Sequence, residues 1–405
     1  MTDWAALRRE ILDTFTPGPP IDEYDLFAGR HNTIQRLQDI TIERGRHAVI
    51  FGERGVGKTS LANIFHKNLN TETQSVLPIF VNADKGDQFN SLWRKVLRRI
   101  KRSDGDDEWW ADEAYTGEIT VDDVQLELSV FKPNNIPIII IDEYDRVEDK
   151  TCRVLMTDIL KGMVNYGTNC TVILVGVADS ILQLVHDHGS ISRNLAQVPM
   201  ERMSPSEIRD IIVTRVRRLR MRITEDTVWR ISYFSAGLPF YAHSLGKYTA
   251  LQAVAKQRIS ITEGDLMNSL DDCIADVDYI VTEGYTRATE KIYRKPNIFT
   301  KVLAACALCE TNDLGQFTAA DVEGPLSAIM GEPYRVPSFA FHLNEMSGPG
   351  RGNVLRKRGA RRTYQYNFAE PAMQPFVIMK SLKDGIISRT LFEQFYVKRQ
   401  GSLSI

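Results

Sequence analysis

Residues 47–69 read HAVIFGERGVGKTSLANIFHKNL. The stretch begins as a β-branched apolar run, breaks into three glycines within six residues, and ends as an amphipathic helix. Gly52, Gly57, Lys58 and Thr59 fit the spacing G-x-x-x-x-G-K-[ST]. Glycines let a loop turn its N–H groups inward without Cβ obstruction, and the helix that follows adds its positive N-terminal end. The segment from Gly52 through Glu53, Arg54, Gly55, Val56, Gly57, Lys58 and Thr59 to Ser60 is therefore a candidate phosphate cradle. Lys58 would reach the β- and γ-phosphates, and the Thr59 hydroxyl would ligate Mg²⁺. The setting agrees: 47–51 reads as a short buried strand, and Leu61, Ile64, Phe65 and Leu69 recur at helical spacing.

Outward from this stretch, the chain has 405 residues, enough for two or three domains, and its 43% hydrophobic content is that of a globular protein. A formal net charge of -2 excludes a uniformly basic coat, so any nucleic-acid binding must come from local patches. No apolar run approaches membrane-spanning length, and MTDWAALRREILDTF at the start is an amphipathic helix candidate without a signal peptide's apolar region. Five cysteines form an odd, sparse set, which points to a reducing, cytoplasmic setting. Cys306 and Cys309 form a C-x-x-C inside the apolar helical stretch FTKVLAACALCE, where packing is expected rather than zinc.

Apolar runs at 47–51, 77–81, 136–141, 171–175 and 195–199 alternate with helical pattern, which predicts a parallel sheet covered on both faces. The stretch KRSDGDDEWWADE, 101–113, reads as a surface insertion whose basic and acidic clusters screen each other. From Ser204 the pattern becomes all-helical, and one long helix is expected over about 266–293. After the break at Lys295-Pro296-Asn297, three helices at 298–310, 319–330 and 336–346 precede NVLRKRGARRTYQYNF, which reads as two strands around Gly359. That order is a winged helix-turn-helix, with 336–346 in the recognition-helix position. The expected division is an N-terminal helix and linker (1–24), an α/β core (25–203), a helical lid (204–294), a winged helix (295–386) and a tail (387–405).

The chemistry follows from IPIIIIDEYD, an apolar strand ending in Asp142 and Glu143 at the sheet edge where the cradle also lies. Asp142 would hold Mg²⁺, and Glu143 would polarise the attacking water. In the turn GVADS, Asp179 or Ser180 is placed to sense the γ-phosphate, with helix capping as the alternative use of Asp179. Arg193, just before the last strand, could reach into a neighbour's site as an arginine finger, or make a surface salt bridge.

The order LFAGR (26–30), GERGVGKT, IIIIDEYD, GVADS, SR before a strand, a helical lid and a winged helix resembles the origin-recognition, initiator clade of AAA+ ATPases over most of 25–385. The resemblance implies a P-loop AAA+ sheet core, an all-α lid, ATP and Mg as cofactors, and an ATPase coupled to assembly on DNA or with partner subunits. It also implies that Phe27, Gly29 and Arg30 lie near the adenine. The lid departs from that pattern: SAGLPFYAHSLGK has Phe240 where a second sensor arginine is expected. Its GLP resembles the lid of the signal-transducing (STAND) branch, which implies that Pro239 packs near the adenine. His243 or Lys247 is a substitute γ-phosphate contact, or else a packed or surface residue.

Arg351, Arg356, Lys357, Arg358, Arg361 and Arg362 crowd the wing, with no acidic residue between Ser347 and Ala369, and form a candidate phosphate-contact surface for duplex DNA. The recognition-helix candidate VPSFAFHLNEM offers His342 and Asn344 but no cation to read guanine. Two readings stand: a DNA-associated ATPase, and a slow nucleotide-gated switch whose winged helix docks protein.

Overall fold

The apolar runs pair as one parallel sheet. The computed structural model describes residues 2–20, 29–67, 69–70, 75–104, 107–132, 134–177, 194–291, 298–312, 315–360 and 363–401. These fall into two compact units, one of Pro20–Met200 and one of Met1–Pro19 with Glu201–Ile405.

In the first unit the described elements run α2 (His31–Ile42), β1 (His47–Gly52), α3 (Lys58–Ile64), β2 (Ser75–Asn82), α4 (Phe89–Leu97), β3 (Lys101–Asp104), β4 (Asp107–Trp110), α5 (Val121–Ser129), β5 (Asn135–Asp142), α6 (Lys150–Asn165), β6 (Thr171–Val177) and β7 (Leu195–Met200); α1 belongs to the other unit. Five strands form a sheet in the order β2-β5-β6-β1-β7, every pair parallel. A parallel sheet needs cover on both faces, and near-continuous β-branched residues in β5 supply it: Ile139 and Ile141 join Val49, Val172 and Leu174 in a core shared with α4 and α6. Ile138 and Ile140, alternating with them, are buried as well. Trp93 of α4, with no exposed surface, is the largest side chain of that core.

His47 opens β1 fully buried, and its Nδ1 accepts the Val172 N–H at 3.1 Å, tying β1 to β6 away from the cradle. Within the 101–113 stretch β3 pairs antiparallel with β4, a pairing its polar composition concealed. Its charges do meet: Lys101 pairs with Glu108, and Arg98 with Asp112 at 2.8 Å.

The second unit holds α1 (Trp4–Thr14), α7 (Pro205–Arg218), β8 (Arg222–Ile223), α8 (Glu225–Phe234), α9 (Pro239–Ala255), β9 (Ser260–Ile261), α10 (Glu263–Ala275), α11 (Tyr279–Thr289), α12 (Phe299–Leu308), β10 (Phe317–Thr318), α13 (Ala319–Met330), α14 (Val336–Met346), β11 (Leu355–Arg358), β12 (Gln365–Phe368), α15 (Met373–Lys383) and α16 (Arg389–Gly401). Starts are written locally. Ser204 with Glu207, Thr262 with Asp265 and Thr318 with Asp321 each form a reciprocal capping box.

Two expectations are corrected here. The single helix over 266–293 is two, because Asp278 turns its carboxylate onto the Ile280 N–H and caps a new helix. The helical segment also contains strand pairing, since the two-residue β8 and β9 run parallel.

α1 lies along α9. Phe15, fully buried just beyond α1, sits against Gly246, where an added Cβ would come within 2.3 Å of its ring. The Thr16 N–H donates to His243 Nδ1 at 3.1 Å. Three helices, α12 to α14, precede the β11–β12 hairpin, the element order expected of a winged helix, and β10 adds a third strand beside β12. Tyr366 and Phe368 alternate inward from β12 and are buried. Cys306 and Cys309 are buried, and Cys309 Sγ donates to the Ala305 carbonyl at 3.3 Å.

Candidate functional site

The cradle is the turn between β1 and α3. Gly55 and Gly57 hold φ of 85° and 91°, a region that side chains disfavour, so the loop's path requires glycine at both positions. β6 separates β1 from β5 in the sheet, and the two strand ends still converge: Thr59 Oγ1 donates to Asp142 Oδ2 at 2.6 Å. Asp142 Oδ1 accepts the Glu143 N–H at 2.8 Å, which fixes the carboxylate plane. Burial pushes the Asp142 carboxyl upward from its ordinary range, and the Thr59 hydroxyl and Glu143 amide oppose that shift.

Lys58 curls into the loop. Its Nζ donates to the carbonyls of Glu53 at 2.8 Å and Gly52 at 3.2 Å. Burial lowers the Lys58 pKa, against the attraction of Asp145, Asp142 and Glu53. A cation held by neutral carbonyls in a half-closed loop is poised to exchange them for anionic phosphate oxygens, which bind it more strongly. The hydroxyl of Thr59 and the carboxylate of Asp142 are hard oxygen donors from two elements meeting at one point, a donor set that fits Mg²⁺.

Glu143 follows in a left-handed conformation, φ 54°, which turns its side chain away from the strand line. Its Oε2 accepts from Arg146 at 2.6 Å, with both side chains about half exposed. One contributor, Asp145, escapes sequence reading, and Arg30 makes a contact other than the one expected of it. Asp145 Oδ1 accepts the Val177 N–H at 3.1 Å, linking the acidic turn to the end of β6. Arg30 donates to the Val56 carbonyl at 3.1 Å, so it braces the cradle's backbone. The motif DEYD contains the signal for Asp145, a second aspartate three residues after Asp142; Arg30 is expected beside the adenine from the LFAGR likeness, and its hold on the Val56 carbonyl is not expected.

Residues 39–185 match the family model for the AAA domain. The α/β unit is an AAA-type P-loop ATPase domain. No curated protein sequence matches the chain. Among solved structures, the fold is similar to Aeropyrum pernix ORC2 in its ADPNP-ADP complexes, at 13% identity and a TM-score of 0.52, over 96% of this chain and 98% of that one. Aeropyrum pernix ORC1 in complex with DNA aligns over 95% of this chain and 98% of that one at 15% identity, TM-score 0.49. Thermotoga maritima RuvB aligns over 87% and 96% respectively at 15% identity, TM-score 0.46. As in the sequence reading, the fold is that of an AAA+ ATPase with an α/β core.

Of the other candidate residues around the AAA domain's site, Phe27, Asp179, Ser180 and Arg193 lie outside the described residues. Pro239, in the second unit, is the first residue of α9. His243 is committed to packing: it is buried against Phe15, accepts from Thr16, and burial holds its pKa well below the ordinary value. Lys247 pairs with Asp276 at 3.1 Å and lies over the Tyr248 ring.

The basic surface at β11 is smaller than the sequence count of cations. Arg351 is buried, its Nη1 donating to the Glu290 carbonyl at 2.6 Å and its guanidinium lying 3.9 Å from the Phe299 ring centre, so it caps the end of α11 instead of facing DNA. Arg356, Lys357 and Arg358 are exposed on β11, while Arg361 and Arg362 lie outside the described residues. His342 packs on Phe299 with ring centres 4.6 Å apart, which turns it from the outer face of α14. No described helix is long and apolar enough to cross a membrane.

Proposed function

We propose that this ATPase binds Mg-ATP at the cradle and couples its nucleotide state to assembly on duplex DNA, with the winged helix as the DNA-facing element. The observation that carries the nucleotide half is the meeting of Thr59 and Asp142 beside Lys58. Lys58 offsets the triphosphate charge, Thr59 and Asp142 hold the cation, and Glu143, released from Arg146, takes the proton of the attacking water. Bound Mg²⁺ would supply charge to the β- and γ-oxygens. The structure similar to this fold at the highest TM-score given above, ORC2, was itself solved with ADPNP and ADP. The DNA half is supported by three exposed cations on β11 in a stretch free of acidic residues, a surface suited to phosphates.

The second reading, a slow switch, is favoured by the Glu143–Arg146 pair, which occupies the base. Steady-state ATP turnover in Mg²⁺, with and without duplex DNA, separates them. Stimulation by DNA supports the proposal; negligible turnover with retained nucleotide, unchanged by DNA, overturns it in favour of the switch.

A further inference from the structure

The outer face of α14 is exposed along its whole length. Pro337, Ser338, Phe341, Asn344 and Glu345 recur at spacings of three and four and are all exposed, while Phe339, Leu343 and Met346 anchor the opposite side in the core. Phe341 is 59% exposed, the only phenylalanine so exposed among the described residues. Exposed apolar residues are common singly, but this one stands in the middle of a helix face bounded by a basic hairpin. The boundary is fixed: Lys357 Nζ donates to Asn344 Oδ1 at 2.7 Å and lies 3.6 Å from the Tyr364 ring centre. The cations of β11 and the face of α14 thus form one continuous surface.

The two parts carry different chemistry. The hairpin presents Arg356, Lys357 and Arg358 and suits phosphates of any sequence. The helix face has no cation, since Arg335 at its start pairs with Glu323 at 3.0 Å. It therefore adds nothing to phosphate affinity and lacks the fork that reads guanine. What it has is an aromatic ring beside the acceptor carboxylate of Glu345 and Asn344, whose Oδ1 already accepts from Lys357. In a major groove, the apolar feature available to such a ring is the thymine C5-methyl, and acceptors meet the amino groups of adenine and cytosine.

We infer that α14 enters the major groove and that Phe341 reads the thymine methyl group, giving the protein a preference for thymine-containing sequence in place of guanine readout. This rests on the duplex-DNA reading above. Charge complementarity between the cations of β11 and the continuous phosphate backbone is the ground for DNA as the occupant.

The test compares binding of the full-length protein to alternating poly(dA-dT) and poly(dA-dU), duplexes of equal charge that differ by the methyl. Wild type should bind the uracil polymer about fourfold more weakly for each methyl contacted. Phe341→Ala should bind both polymers equally, at about the wild-type affinity for poly(dA-dU). Arg356→Ala with Arg358→Ala should weaken both and flatten the salt dependence while keeping their ratio. If wild type binds both polymers alike with salt-sensitive affinity, or if Phe341→Ala keeps the discrimination, the inference fails and the DNA reading stands. If wild type binds neither polymer in a salt-sensitive way, the DNA reading itself fails and the face is left for a protein partner.

Discussion

His47 should make the stability of the α/β unit depend on pH, through the strand that carries the phosphate loop at its other end. The imidazole is fully buried at the start of β1, and its Nδ1 accepts the Val172 N–H, a bond that requires Nδ1 to be unprotonated. Burial lowers its pKa from 6.5 to about 4, only partly offset by the Leu160 carbonyl. In the unfolded chain the same group takes up a proton near 6.5. Between those values the unfolded state binds more protons than the folded one, so stability rises with pH. The contribution is complete above about 6.5, is lost as pH falls toward about 4, and is constant below. At about 1.4 kcal/mol per pH unit, the interval corresponds to about 3 kcal/mol, a large part of the stability of an ordinary domain.

His47→Asn is the informative variant, because the amide oxygen can replace Nδ1 as acceptor and does not titrate. It should lower stability by a constant amount from the volume lost, and should flatten the pH dependence relative to wild type by about 3 kcal/mol. Urea unfolding, followed through hydrogen exchange of the β1 and β6 amides at about pH 7.5, 5.5 and 4.5, reads this unit apart from the other, where His243 titrates separately. Parallel loss of stability in wild type and His47→Asn over that range would refute the reasoning. The loss would then belong to carboxylates that protonate as the pH falls.

Lys58→Ala should weaken ATP binding by more than about a hundredfold in a direct titration, because it removes the ammonium that sits on the loop's own carbonyls and would exchange them for phosphate oxygens. Glu143→Gln should retain nucleotide affinity and lower turnover by roughly 10²–10⁴-fold, as expected for loss of a general base; equal loss of binding in both variants would deny the division of roles. Asp145→Ala should alter turnover more than affinity, since it removes the acceptor of the Val177 N–H and with it the link to β6, which steady-state kinetics would show as a change in kcat larger than that in KM. Arg351→Ala should cost roughly 2–4 kcal/mol by leaving the end of α11 uncapped, seen as a lower denaturation midpoint of the second unit, whereas Arg356→Ala should leave stability within about 0.5 kcal/mol of wild type.

What the sequence made legible was periodic or local. The five strands lay in apolar runs because a parallel sheet buries both faces, so each strand had to be apolar along most of its length. Helices α13 and α14 begin and end where the pattern placed them, aided by Thr318 with Asp321 and by Pro337 in the first turn. Thr59 and Asp142 could be paired in advance because both are set by strand ends at one edge of the sheet. Failures came where a residue's use depends on a distant partner. Arg351 counted with the wing cations in composition, yet its partners are carbonyls of residues 287–290 and the ring of Phe299. Asp278 looked like part of a continuous helix because periodicity does not register a side chain that turns back to cap.

The same distinction bears on what α14 and the β11–β12 pair can do. Counting charge in the sequence made the hairpin the whole of the interface and made α14 a weak reader, because its polar candidates were His342 and Asn344. In the folded chain His342 is drawn into contact with Phe299, Asn344 is held by Lys357, and Phe341 takes the outward place that the pattern of one helix turn leaves for it. A helix with three inward anchors, Phe339, Leu343 and Met346, fixes its outward residues by geometry alone. On the proposed DNA reading, affinity and selectivity are therefore carried by different elements. Charge changes on β11 should move the salt dependence at any sequence, and a change at Phe341 should move the choice among sequences at constant salt dependence. A single substitution that shifted both together would show that hairpin and helix act as one contact, and the separation argued from their chemistry would be wrong.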